Sequence, residues 1–297
     1  MGIIFRAALW LGQWVSPSVA LQLSALVAWV LDRLNLEPAR VTAANLKACF
    51  PELNELERSA LKRRSLKHMV LLFFEFAQLS HWPLEKLLSQ IREMHGVDWF
   101  DEVASQGQGV LVLAPHIGSW EIFCAFLGAK YPFAALYAPP KIKSLEPVIL
   151  SARKRFKGNM FPIDAGGIRR LLRSLKDGEL VVLLPDQVPD REQGVYAPFL
   201  GQPALTMTLA HRLANKTEHR VVMISMERVE ERGSYHFRLH IEPLVETTAG
   251  LDAQGFARVM NQSIERAITR VPEQYQWAYK RFKRPPGRGR NSIYRRQ

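Results

Sequence analysis

The sequence predicts an α/β fold, a mixed and largely parallel sheet flanked by helices, with an N-terminal helical, membrane-associated segment ahead of it. Three observations predict this. Beyond Gly107 and Gly109, short apolar runs such as "GVLVLAP" and "ELVVLLPDQ" alternate with stretches of helical length, as strands buried on both faces alternate with helices. Residues 40–95 read as helix throughout. From Ala7 to Leu31 there is no charged side chain, and the run carries Trp10, Trp14 and Trp29.

That apolar run matches the roughly 20 residues a bilayer core requires. Gln13, Ser16, Ser18, Gln22 and Ser24 dilute it, and Pro17 is expected to kink a continuous helix. Both a spanning and an interfacial arrangement stay open. No small-residue cleavage site follows, which favours a retained anchor over a removed signal peptide. Arg33, Arg40, Lys47, Lys62, Arg63, Arg64 and Lys67 follow the run, whereas Arg6 precedes it. Positive residues stay cytoplasmic, so the bulk of the chain is expected on that side. The expected division is an anchor over 1–35 and one domain over 36–297, with a helical lead-in over 36–100 and a basic tail over 279–297.

The lead-in centres on "NELERSALKRRSLKHMVLLFFEFAQLSHW", where Asn54 and Glu57 have the spacing of a capping box. Its plainer reading is a core helix with a solvated basic end. A sharper one puts its aromatic end on lipid. After the first buried strand, "SWEIFCAFLGAK" reads as a helix capped by Ser119. "FAALYAP" is a second strand, "SLEPVILSARKRFKG" a helix, and "GGIRRLLRSLKDG" a helix ended by Gly178. "RVVMISMERV" repeats the buried-strand pattern. In "SYHFRLHIEP", Tyr235, Phe237, Leu239 and Ile241 alternate with polar residues, predicting a half-exposed strand near a sheet edge. "FARVMNQSIERAITRVP" closes the domain as a helix.

Composition narrows the partners. Forty Lys+Arg against 28 Asp+Glu give a net charge of +12, which implies an acidic partner such as an anionic membrane, a phosphorylated substrate, an acidic protein or nucleic acid. Eight Lys/Arg lie between Lys280 and Arg296, but no nucleic-acid fold motif accompanies them, so nucleic acid is set aside. Cys49 and Cys124 are the only cysteines. They suit neither a disulfide framework nor a metal site.

Two buried strands end alike, in Pro and then a polar residue: "LVLAPHIGSWE" and "VVLLPDQVPD". Ligands of open α/β sheets bind beyond the carboxyl ends of strands, so His116 and Asp186 are expected to face one cleft. Within one helix, five positions would set His116 and Glu121 about 140° apart. With His116 in a turn at Gly118 and Glu121 in the first helical turn, the two could meet. A carboxylate on one imidazole nitrogen leaves the other free as a general base. A surface His beside a first-turn Glu would read identically. No G-x-S-x-G elbow is present, so a serine acyl-enzyme is not expected.

"HIGSWE" is similar to the H-x4-E form of the H-x4-D/E box of the glycerolipid acyltransferase superfamily. Over nearly its full length the chain resembles the late (secondary) acyltransferases of lipid A biosynthesis. The matching pieces are the N-terminal apolar segment, "NLKACFPELNELER", "LVLAPHIGSWE", "ARKRFKG", "LLPDQ", "APFLGQPALTMT" and "PEQYQWAYKRFK". The resemblance implies a bacterial inner-membrane enzyme with a cytoplasmic catalytic domain. It would take a fatty acyl group from acyl carrier protein and esterify the 3-hydroxyl of a hydroxyacyl chain on a Kdo-bearing lipid A precursor. It implies no cofactor or metal. By carry-over His116 is the general base, Glu121 its orienting partner, and Arg153 a holder of phosphate or Kdo carboxylate. Asp186 would orient substrate or the basic residues, and Arg155, Arg169 and Arg170 are lesser helpers. A lysophospholipid or another acylated glycolipid is the alternative acceptor. Where the family often has Tyr-Arg-Pro, this chain reads Tyr137-Ala138-Pro139, with Lys141 and Lys143 close by. That departure puts the usual substrate contacts of the loop in question.

Overall fold

The computed structural model describes residues 2–139, 146–217, 220–287 and 293–294. Lys141 and Lys143, the first two residues of the helix expected from Ser144, and residues 288–292 and 295–297 of the basic tail lie outside the described residues.

The uncharged N-terminal run folds as two helices, α1 (Gly2–Gly12) and α2 (Pro17–Arg33). Pro17 opens a helix rather than kinking one. At the first helical position its missing N–H costs nothing, and the Ser16 hydroxyl accepts the Val19 N–H at 3.3 Å. Among the described residues no single helix is long and apolar enough to cross a membrane. Only α2 together with α3 (Glu37–Cys49) meets that test, as a pair bent by 82°. All three pack on α4 (Glu55–His81). The Asn54 capping box is complete, with reciprocal bonds of 3.0 and 2.8 Å to and from Glu57. Leu61, Leu66, Leu71 and Phe74 of α4 are buried while Arg63 and Arg64 are exposed, so the plainer reading of this helix holds.

After α5 (Leu84–Leu88) the chain departs from the expected helix. Ile91–His95 is strand β1, followed by α6 (Val97–Ser105). β2 (Val110–Leu113), α7 (Ile122–Lys130), β3 (Phe133–Tyr137), α8 (Glu146–Lys154), β4 (Gly158–Pro162), α9 (Ala165–Lys176) and β5 (Leu180–Leu183) then alternate as the sequence predicts, with β4 added. A hairpin of β6 (Gly194–Phe199) and β7 (Gln202–Met207) precedes α10 (Leu209–Thr217). The long pair β8 (Arg220–Glu231) and β9 (Ser234–Pro243) and helix α11 (Ala253–Arg270) follow.

The seven-stranded sheet runs β1-β9-β8-β2-β5-β3-β4. Every pairing is parallel except β8–β9, so the sheet is mixed and mostly parallel. β9 is not an edge strand: β1 covers it, and Tyr235, Phe237, Leu239 and Ile241 are buried. β9 thus lies one strand in from the edge, near it as expected, and the outer strand "IREMH" is too short and too polar to announce itself by periodicity. Alternate β2 side chains serve opposite layers. Val110 and Val112 pack with Phe123 and Phe126 of α7, and Leu111 and Leu113 with Leu171 of α9 and Phe256 of α11. Both faces are covered, as a continuous apolar strand requires.

A fully buried ion pair ties the helical lead-in to the sheet. Arg228 of β8 grips both carboxylate oxygens of Glu75 on α4, with Nη2 to Oε2 at 2.7 Å and Nε to Oε1. Both side chains are 1% exposed. Removing one partner strands the other charge in the core, which costs about 3–5 kcal/mol. Glu75→Ala is therefore expected to lower stability by about that amount, read from denaturant unfolding of detergent-solubilised protein. A far smaller loss would show that the pair is not a structural centre.

Candidate active site

β2 and β5 pair in parallel with Leu113 opposite Leu183. His116 and Asp186 each follow three residues beyond that rung, so the sheet delivers them to one place. The His116 Nδ1 lies 2.8 Å from Asp186 Oδ1, and the His116 backbone N–H donates to Oδ2 at 3.1 Å. Burial first, and then the nearby Asp186 carboxylate, push the Tyr275 phenol well above its ordinary value. Burial by itself would raise the Asp186 carboxyl, but the His116 charge and these bonds from His116 outweigh it and leave the group below its ordinary value. Asp186 is a committed carboxylate. It accepts the Nδ1–H hydrogen bond and leaves the lone pair on Nε2.

The turn carrying His116 is clamped on both sides. Gly118 sits at φ +60°, where a Cβ would come within 1.8 Å of the Met226 carbonyl oxygen, so only glycine fits. Its N–H donates to the Gln274 carbonyl at 3.0 Å, and its own carbonyl accepts from Arg228 Nη2 at 3.1 Å. The Ser119 N–H donates to the Met226 carbonyl at 2.8 Å, and the Gln276 N–H donates to the His116 carbonyl at 3.1 Å. These pairings keep residues 118–119 out of a helix. Helix α7 accordingly starts at Ile122, and Ser119 does not cap it.

The expected His116–Glu121 contact is replaced by a different partnership. Glu121 receives a forked pair of bonds from Arg153 of α8, from Nε at 3.1 Å and from Nη2. Burial alone would disfavour the cation, yet Glu121 holds Arg153 charged above the ordinary guanidinium range. The carboxylate in contact with the histidine is thus Asp186, seventy residues away in the chain. Arg153 and Glu121 line the same cleft as His116, whereas the other predicted arginines do not. Arg155 donates to the carbonyls of Leu79 and Trp82 at the end of α4, where helix carbonyls lack partners. Arg169 and Arg170 are exposed on α9, with Arg170 over the Phe161 ring at 5.8 Å.

The cleft has a volume of about 520 Å³, and Phe123, Cys124, Ala135, Met160 and Val182 line it together with His116. Burial pushes the Cys124 thiol up to about 12, so it is a wall and not a nucleophile. Gln187, Tyr275 and Gln276 were not singled out in the sequence. They stood inside the quoted pieces "LLPDQ" and "PEQYQWAYKRFK", but nothing local tied them to His116.

A buried His–Asp pair whose histidine lines a largely apolar cleft, beyond the carboxyl ends of parallel strands, defines an α/β enzyme that can take a proton beside an apolar substrate. The model of the bacterial lipid A biosynthesis acyltransferase family matches residues 2–284, and the chain belongs to that family. It is 29% identical over 255 residues to the lipid A biosynthesis palmitoleoyltransferase of Escherichia coli (strain K12), covering 86% of this chain and 81% of that one. The lauroyltransferase of the same organism is 28% identical over 84% of this chain and 80% of its own. The myristoyltransferase is 25% identical over 86% and 78%.

The two carboxylates separate by experiment. Asp186→Asn keeps the shape but offers Nδ1 the wrong partner, and is expected to cut kcat by about 10³–10⁴-fold. Glu121→Gln leaves the His116 partner in place and is expected to cost less in kcat than in KM. Initial rates of acyl transfer check both, and a reversed order would return the orienting role to Glu121.

Proposed function

We propose that this lipid A biosynthesis acyltransferase moves a fatty acyl group from an acyl carrier protein thioester to the 3-hydroxyl of a hydroxyacyl chain on a Kdo-bearing lipid A precursor. The observation that carries the reading is His116 lining a largely apolar cleft with its Nδ1 fixed by Asp186. Nε2 removes the proton as the acceptor hydroxyl attacks the thioester carbonyl. The tetrahedral intermediate collapses, the carbon–sulfur bond breaks, and the imidazolium returns that proton to the departing thiolate. One ester and one thiol result, without an acyl-enzyme. A positioned base of this kind contributes roughly 10²–10⁴-fold.

Arg153 is the proposed anchor for a phosphate or Kdo carboxylate of the acceptor, with Glu121 holding its guanidinium in place. The apolar walls suit an acyl chain. The proposed location is the cytoplasmic side of the bacterial inner membrane. Trp10, Trp14 and Trp29 are 54%, 73% and 57% exposed, with Leu11, Leu26 and Leu34 also exposed. Arg33, Lys47, Arg63 and Arg64 are exposed nearby in the same helical unit. Aromatic and apolar groups next to basic ones suit an anionic lipid surface.

Two experiments test this reading. Membranes bearing the wild type, supplied with Kdo₂-lipid IVA and a panel of acyl carrier protein thioesters, are expected to yield one acylated product. His116→Ala is expected to lose at least about 10²-fold. Transfer by His116→Ala at the wild-type rate would overturn the mechanism, and transfer only to a lysophospholipid would move the acceptor. Replacing Trp10, Trp14 and Trp29 together by Ser is expected to reduce co-sedimentation with anionic vesicles by at least about tenfold. Undiminished binding would place the membrane face elsewhere.

A further inference from the structure

The reactive nitrogen of His116 is already occupied. Gln187 Nε2 lies 3.1 Å from His116 Nε2 and 3.5 Å from Gln276 Oε1. Reversing the amide would set its oxygen against two acceptors, since the only proton on the neutral ring is on Nδ1 toward Asp186. Gln187 therefore donates an N–H to the lone pair that must receive the acceptor's proton. A hydroxyl delivered to Nε2 needs the place this amide nitrogen now holds.

Gln187 has little room to retreat as a whole. Its neighbour Asp186 is fixed by His116, and the Val188 N–H on its other side donates to the Tyr279 hydroxyl at 2.9 Å. Only the side chain can swing, and it lines the cleft. Meanwhile the four backbone donors from His116 to Ser119 are spent. The N–H groups of His116, Ile117, Gly118 and Ser119 go to Asp186, Pro115, Gln274 and Met226. The amides of residues 116–119 are thus engaged and do not serve the oxyanion that forms beside the base. Charge developing there in a water-poor cleft requires a donor already in place.

We propose that Gln187 is a catalytic residue with two positions: it caps His116 Nε2 in the resting enzyme and, displaced by the acceptor hydroxyl, donates its amide N–H to the oxyanion of the tetrahedral intermediate. The proposal rests on His116 being the general base. Attack of the acceptor oxygen places the thioester carbonyl within an amide's reach of Nε2, so the swing is short. The negative charge then sits between an imidazolium and a neutral donor. When the thiolate leaves, the ester carbonyl releases Gln187 to its resting bond.

Gln187→Met keeps the volume and deletes the donor. Gln187→Glu replaces the donor by a carboxylate. Both are assayed in the membrane system above with His116→Ala as reference, and equal melting temperatures establish equal folding. The Met variant is expected to lose about 10²–10³-fold in kcat, the size of one lost oxyanion donor. Its KM for Kdo₂-lipid IVA should stay unchanged or fall, because no cap has to be displaced. The acid limb of kcat/KM should move to higher pH, because a hydrogen bond favouring the neutral ring has gone. The Glu variant should move that limb further. The other charged groups facing this pair are Asp186 with Arg281 close to it, Glu121 with Arg153, and Asp190 and Arg212 in the cleft wall. All are common to wild type and both variants.

A Met variant with wild-type kcat and an unmoved acid limb would overturn the proposal. So would a loss confined to a raised KM, which would make Gln187 a binding group. If His116→Ala transfers normally, the general-base reading falls on its own evidence whatever Gln187 does.

Discussion

Arg228 and Glu75 give up their hydration to meet in the interior, and the geometry of the catalytic turn hangs on that meeting. A buried ion pair is seldom a net source of stability against apolar residues of equal size. Here its use is connectivity. The Arg228 guanidinium that holds Glu75 of α4 also donates to the Gly118 carbonyl. The Arg228 main chain exchanges two bonds with the Gln274 side chain, at 2.8 and 2.7 Å, and the Gln274 carbonyl in turn takes the Gly118 N–H. Lead-in helix, central strand, catalytic turn and C-terminal segment are therefore fixed through one residue. The N-terminal helices that pack on α4 are mechanically joined to the site they would bring to a membrane.

The site separates two carboxylates by environment. Asp186 is withdrawn from solvent and surrounded by donors, so its charge is bound to the histidine. Glu121 stands at the other side of the cleft and is bound to Arg153. Giving each carboxylate its own partner keeps the two from competing for the ring and leaves Nε2 as the ring nitrogen not engaged by a carboxylate. Nearby, the buried Arg281 over the Phe199 ring, donating to the Leu205 carbonyl and Thr206 hydroxyl, adds a fixed positive charge that favours ionised Asp186.

Much of the fold could be read from periodicity. The continuous apolar runs became β2, β3, β5 and β8, and the Asn54 box became the start of α4, because local preference and burial agree there. β1 and β4 escaped notice since five-residue strands with mixed polarity carry no distinctive period. Ser119 was misread because its backbone is claimed by Met226 across the sheet, a partner invisible to a local cap rule.

For the site, the sequence alone determined the place and the candidates. Two buried strands each ending in Pro and a polar residue put His116 and Asp186 at one sheet edge, and the resemblance carried by "HIGSWE" made His116 the candidate base. Which carboxylate serves it was a tertiary decision. Glu121 is five residues away along the chain, but Asp186 is three residues past the same ladder rung, and parallel register brings it closer than sequence proximity does. Arg155 likewise has the composition of a substrate contact, yet the carbonyl end of α4 claims it. The fate of a polar group depends on which partner reaches it after packing, and that is settled by the strand order and by α4, not by any window of sequence.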